Sequence, residues 1–86
     1  MELLFHKTFK KQYQKLPKKI QQRFDERLAL FMHDATHPLL HLHTLSDAEY
    51  PIESINITAD YRAVFLRTKK EISFLRIGTH SSLYGK

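Results

Sequence analysis

The sequence predicts an α+β fold: an N-terminal strand, an αα-hairpin, then an antiparallel sheet, with about four strands in all. Apolar residues recur at helical spacing from Phe9 to Ala35, and three short β-prone runs follow between Ile52 and Ile77. Pro17 restarts the helical pattern partway, which divides it into two helices. At 86 residues the chain is the size of one domain, 1–86, which needs a compact core.

Leu3, Leu4 and Phe5 read as the first strand. Thr8 is the expected N-cap of a helix whose apolar side is Phe9, Tyr13 and Leu16. Pro17 fits the first turn of a second helix, where its missing N–H costs nothing. Ile20, Phe24, Leu28, Phe31 and Ala35 form one stripe of that helix, and Arg27 falls at its edge with its charged head toward water. The helix is expected to end near Thr36, because Pro38 disfavours helical geometry at His37. Residues 37–50 read as a loop holding His37, His41 and His43.

Three strands are then expected, Ile52 to Ile57, Tyr61 to Arg67 and Glu71 to Ile77. Short turns at Thr58-Ala59-Asp60 and Thr68-Lys69-Lys70 join them. Gly78 ends the last strand, and a terminal loop delivers His80 and Tyr84 to its exposed end. The alternative is an ordinary tail with a solvated histidine. Leu83 and Tyr84 argue against it, since a disordered tail has little use for two large apolar groups.

Turns centred near Ala59 and Lys69 would set Asn56, Arg62 and Arg76 side by side on one sheet face. Ile55, Ile57, Ala63, Phe65, Leu75 and Ile77 would point to the other face, beneath the helices. A slip of one residue would reverse the faces.

Charge narrows the function. The formal net charge is +5, and Lys7, Lys10, Lys11, Lys15, Lys18, Lys19 and Arg23 follow one another with no acid among them. From Leu28 to Tyr61 there is no Lys or Arg, only Asp34, Asp47, Glu49, Glu53 and Asp60. This asymmetry favours a nucleic acid over a membrane surface as partner, with a solvated helix face as the alternative for any lysine run. The absence of cysteine excludes disulfides, thiolate metal sites and a cysteine nucleophile. With only Gly78 and Gly85 there is no glycine-rich phosphate loop, which disfavours nucleotide hydrolysis. No signal peptide or membrane span is legible, so a soluble cytoplasmic protein with no membrane partner is expected.

Seven side chains are candidates to converge at one sheet edge: His43, Asn56, Asp60, Arg62, Arg76, His80 and Tyr84. Cleaving an RNA phosphodiester needs a base for the 2′-hydroxyl proton, an acid for the departing 5′-oxygen and cations for the charge developing on phosphorus. Histidine serves either proton role, and arginine matches phosphate oxygens with a fixed fork of donors. The plainer reading pairs Arg62 and Arg76 with Glu53 or Glu71 in edge ion pairs. His37, His41 and His43 invite a metal reading, but Pro38 breaks their helical spacing and no carboxylate or thiol adds a nearby ligand. No metal or cofactor is expected.

The order strand, basic αα-hairpin, antiparallel sheet resembles the RelE/ParE superfamily of bacterial toxins. Within it, His43-Thr44-Leu45, the segment from Ser54 to Phe65, and Arg76-Ile77-Gly78-Thr79-His80-Ser81-Ser82-Leu83-Tyr84-Gly85 look like the YafQ branch. That branch is similar in its His-Pro-Leu motif, its strand–turn–strand ending in Asp-aromatic, and its closing Gly-Thr-His-x-x-Leu-Phe. The resemblance covers nearly the whole chain. It implies the toxin of a type II toxin–antitoxin system, a ribosome-dependent endoribonuclease (an mRNA interferase) that cuts mRNA in the A site and is neutralised by a cognate antitoxin. By matching position it places His43, Asp60 and His80 on catalytic places, Tyr84 on the closing aromatic and Arg76 on the arginine of the last strand. Arg62 matches the arginine that follows the strand turn in RelE. His80 is then expected as the acid, Asp60 as orienting group or base, and Arg62 and Arg76 as stabilisers of the transition state. Lys11, Lys15 and Lys18 would dock on ribosomal RNA, and Asn56 would bind substrate. Two residues depart from the pattern: Asn56 stands where the branch has another histidine, and Thr44 replaces the proline after His43. The rival is a ParE-like inhibitor that binds DNA gyrase and cleaves nothing.

Overall fold

The computed structural model describes residues 2–45 and 51–84, the side chain of Tyr84 excepted. Residues 46–50 of the expected loop, with Asp47 and Glu49, and Gly85 at the end of the closing motif lie outside the described residues. The chain runs β1 (Glu2–Phe5), α1 (Lys7–Gln14), α2 (Lys18–His33), a 3-10 turn (Pro38–Leu40), β2 (His43–Thr44), β3 (Ile52–Asn56), β4 (Tyr61–Arg67), β5 (Glu71–Thr79) and α3 (His80–Tyr84). The sheet has five strands in the order β1-β5-β4-β3-β2. It is antiparallel except where β1 lies parallel to β5, and the connection between those two contains every other element but α3.

Three local expectations are corrected. His6, not Thr8, caps α1: its Nδ1 accepts the Thr8 N–H at 3.3 Å. The fifth strand, β2, arises inside the expected loop, where His43 pairs with Ser54 and Thr44 with Glu53. At the other end, β5 continues through Gly78 to Thr79, and His80 opens a short helix where a loop was expected.

The core lies between the helices and one sheet face. Phe74 is its hub, fully buried, with the rings of Phe5, Phe9, Phe24 and Phe65 centred 5.4–5.7 Å away. Phe31 extends the cluster onto Phe65 at 5.1 Å. Burying one such side chain contributes about 2–3 kcal/mol, so this aromatic column dominates the adhesion of helices to sheet. The expected helix stripes face this core, with Phe9, Phe24 and Phe31 buried and Tyr13, Leu16, Ile20, Leu28 and Ala35 packed around them.

One register detail differs from expectation. β4 and β5 pair Val64 with Arg76 but Phe65 with Phe74, so the ladder skips Leu75. This bulge turns Phe74, rather than Leu75, into the core. Beyond Phe74 the outer edge of β5 is no longer covered by β1, whose last pair is Phe5 with Phe74. Gln12 of α1 supplies the missing acceptor, its Oε1 taking the Ile77 N–H at 2.9 Å.

Glu53, also on the helix side, is buried and bound through both carboxylate oxygens to Arg67, at 3.1 and 3.0 Å. The Arg67 guanidinium lies 5.8 Å from the centre of the Phe31 ring. Neither Arg62 nor Arg76 is Glu53's partner; Arg67 is. Among the described residues no helix is long and apolar enough to cross a membrane.

Candidate active site

The face of the sheet opposite the helices carries two successive rows of side chains. One row runs His43, Ser54, Val64, Arg76 across β2, β3, β4 and β5. The next runs Asn56, Arg62, Gly78 across β3, β4 and β5. Asn56 therefore faces Arg62 as the turn position requires. The β4–β5 hairpin pairs Arg67 with Ile72, one step out from a turn centred on Lys69, and the bulge at Leu75 adds another step; Arg76 is left one row away, opposite Val64, so it does not stand beside Arg62.

Gly78 shapes the second row. A β-carbon there would lie 2.6 Å from Ser82 Oγ and 3.6 Å from Leu83 Cδ2. The lack of a bulky side chain leaves room for α3 to fold back onto β5, with Leu83 buried as its anchor. Ser82 fastens the reversal by donating its N–H to Thr79 Oγ1 at 3.1 Å and its hydroxyl to Thr79 O at 3.0 Å. The His80 N–H donates to Asp60 O at 3.0 Å, tying the start of α3 to the β3–β4 turn.

That turn is itself braced. Thr58 Oγ1 accepts the N–H groups of Asp60 and Tyr61, both at 3.2 Å. Arg62 reaches back, and its Nη1 donates to the carbonyls of Thr58, Ala59 and Tyr61 at 3.2, 2.9 and 3.3 Å. Arg62 thus has a structural duty at one nitrogen. Among the described residues no hydrogen bond engages its Nε or Nη2.

Between these elements lies an open groove of about 440 Å³, lined by His41, His43, Leu45, Ser54, Asn56, Arg62 and His80. Four of the expected residues meet here: His43, Asn56, Arg62 and His80. Asp60 does not line this groove. It stands with His80 on an adjoining cavity of about 420 Å³, so His80 separates the two spaces. Arg76 is exposed on the same sheet face, outside the groove lining. The Tyr84 backbone closes α3, and its side chain is outside the described residues. Lys11, Lys15 and Lys18 are exposed on the helix hairpin and take no part in the groove.

His41 was not among the expected site residues. Its place level with Asn56 follows only from the observed His43–Ser54 pair, which the sequence alone does not supply. The chain does not extend β2 that far. His41 instead caps the 3-10 turn in the left-handed region, φ 46° and ψ 50°, the one non-glycine residue with positive φ among those described. Among the described residues no three His, Asp or Glu side chains are grouped as a metal site would require.

Three imidazoles, an arginine fork and an amide around one groove supply proton donors and acceptors together with fixed positive charge. That is the equipment for handling a phosphodiester.

Known structures share this architecture. The chain aligns with YafQ from E. coli strain BL21(DE3) at 19% identity and a TM-score of 0.78, covering 98% of each chain. With a chain of the archaeal RelE–RelB complex from Pyrococcus horikoshii OT3 it shares 21% identity at a TM-score of 0.75, covering 91% of this chain and 92% of that one. With a chain of the E. coli DinJ–YafQ complex it shares 22% identity at a TM-score of 0.70, covering 98% of each. No curated protein matches the sequence. Residues 3–84 match the family described as the ParE toxin of type II toxin–antitoxin systems, parDE, and the chain belongs to that toxin family.

Proposed function

We infer that this protein is a ribosome-dependent endoribonuclease, a cytoplasmic toxin that cleaves mRNA in the ribosomal A site. The observation that supports it best is the shared groove of His43, His80, Arg62 and Asn56. In the reaction the RNA 2′-oxygen attacks the adjacent phosphorus while its proton passes to a base. The bond to the 5′-oxygen breaks as an acid protonates it. His80 is the acid, and His43 or Asp60 takes the 2′-hydroxyl proton. Arg62, held by its turn contacts, offers its remaining nitrogens to the non-bridging oxygens. Asn56 hydrogen-bonds the strand without transferring a proton. Arg76, one row away, adds charge at the rim, and Tyr84 supplies the aromatic residue of the closing motif.

Lys11, Lys15 and Lys18 belong to the acid-free run on the hairpin and dock on ribosomal RNA, a sequence-independent, salt-sensitive contact. The solved relatives include toxin–antitoxin complexes. A cognate antitoxin is the corresponding partner here, inhibiting by covering His80 and Arg62 or by drawing α3 off the sheet.

The match to a ParE family favours a second reading, a gyrase inhibitor that cleaves nothing. One pair of assays separates them. Incubation with translating ribosomes and mapping of mRNA ends yields discrete A-site cuts under the nuclease reading, with gyrase supercoiling unaffected. Blocked supercoiling with intact mRNA would overturn it.

A further inference from the structure

Beside the groove lies a smaller cavity, about 270 Å³, that brings Arg23 and Arg27 of α2 against His41, Asn56 and the Thr58–Ala59 turn. His41 and Asn56 line both spaces, so they are separated by the width of those two side chains. Among the described residues no acidic side chain lines the smaller one.

One feature there is unexplained by packing. The Nε of Arg27 is buried and has no hydrogen-bond partner among the described residues, although the sequence places that head group toward water. A buried guanidinium donor left unpaired is costly, and an anion beside the same guanidinium offsets that cost electrostatically. His41, the left-handed cap of the 3-10 turn, lines both cavities instead of continuing β2. Among the described residues Arg23 is held by one exposed pair, Nε to Glu26 Oε1 at 3.3 Å, which a stronger anion displaces readily.

We propose that Arg23, Arg27 and His41 form a second phosphate subsite, which takes the phosphodiester next to the scissile one and so sets how the RNA strand threads the groove. The proposal rests on the nuclease reading for its substrate. The subsite makes no bond and moves no proton; it grips a neighbouring phosphate and fixes the strand's register over His80. A guanidinium and an imidazole converging on one phosphate are the ordinary chemistry of such a contact.

The test uses the wild-type protein and a 2′-O-methyl RNA tetranucleotide, which binds without being cleaved, followed by NMR at the arginine Nε–Hε and histidine ring resonances. Saturable shifts are expected at Arg27 and His41 together with those at Arg62 and His80. Shifts at Arg62 and His80 alone would overturn the subsite and leave the nuclease reading standing. Shifts at Arg27 and His41 alone would keep the subsite and count against the nuclease reading. No shift at Arg27 at millimolar oligonucleotide overturns the subsite. In a second arm, Arg27→Gln should weaken tetranucleotide binding about tenfold and lower the slope of log affinity against log salt by ~0.7. Unchanged affinity and slope would refute the assignment.

Discussion

Gly78 is the position where an added branched side chain should separate α3 from the sheet. An alanine β-carbon would meet Ser82 Oγ at 2.6 Å, while Leu83 Cγ and Cδ2 stand at 3.7 and 3.6 Å. To reach ordinary van der Waals separation the hydroxyl must move by about 0.8 Å, which a serine rotamer change provides by giving up its bond to Thr79 O. That bond contributes about 1 kcal/mol at most on an exposed residue, and replacing glycine returns a similar amount through the unfolded chain, about 0.4–1 kcal/mol. Gly78→Ala should therefore be nearly neutral in stability. Gly78→Val is different, because its two methyl groups reach into the Leu83 side chain. With α3 displaced, the burial of Leu83 is forfeited, about 2 kcal/mol. His80 then loses the helix that positions it, and a misplacement of about 1 Å is enough to cost ~10²-fold in rate. Urea melts, amide exchange at Ser82 and single-turnover cleavage on ribosome-bound mRNA read the three consequences separately. A valine variant with wild-type Ser82 exchange and wild-type cleavage would refute the idea that the missing side chain at Gly78 seats the helix.

Arg62→Lys should lower cleavage and destabilise the β3–β4 turn by about 1 kcal/mol, because lysine cannot reach three turn carbonyls and a phosphate together; urea melts and cleavage rates with full activity retained would demote Arg62 to turn brace. Reversing the charges of Lys11, Lys15 and Lys18 together should flatten the salt dependence of ribosome binding by ~0.7–0.9 in log–log slope for each phosphate no longer neutralised, while leaving tetranucleotide binding in the groove unchanged. Burial, then the hydrogen bond donated to Asp25 and that group's charge, raise the Tyr13 phenol above its ordinary 10.0. The folded state therefore holds that proton more tightly than the unfolded chain. The associated stability is complete below the ordinary value and is lost as pH rises through the raised one. Tyr13→Phe should accordingly lose less stability than wild type between about pH 9 and pH 11, measured by urea midpoints; parallel losses would contradict the linkage.

Much of the fold is legible in the sequence because its periodicities are strong. Phe9 with Tyr13, and Phe24 with Phe31, repeat at helical spacing and all turn to the core. The short turn at Thr58–Asp60 suffices to set Asn56 opposite Arg62. The offset of Arg76 is not legible, since a bulge at Leu75 depends on which of two adjacent apolar residues, Phe74 or Leu75, fills the aromatic column. β2 is hidden because two residues carry no alternation, and its pairing is visible only once β3 is in place. Gly78 has the local signature of a strand terminator, the commonest meaning of glycine there, whereas its role is tertiary. His41 escapes for a related reason: its backbone is left-handed, so strand or helix counting does not place it.

The central claim is that the groove performs 2′-hydroxyl attack with His80 as the acid. It is tested most directly by single-turnover cleavage of ribosome-bound mRNA, comparing wild type with His80→Ala on a strand carrying either a ribose or a deoxyribose at the cut site. His80 is exposed, so its removal should leave the fold intact. The account predicts cleavage by wild type on the ribose strand only, and a loss of ~10²–10⁴-fold in the alanine variant. Cleavage of the deoxyribose strand, or a His80→Ala rate within a few fold of wild type, would contradict it.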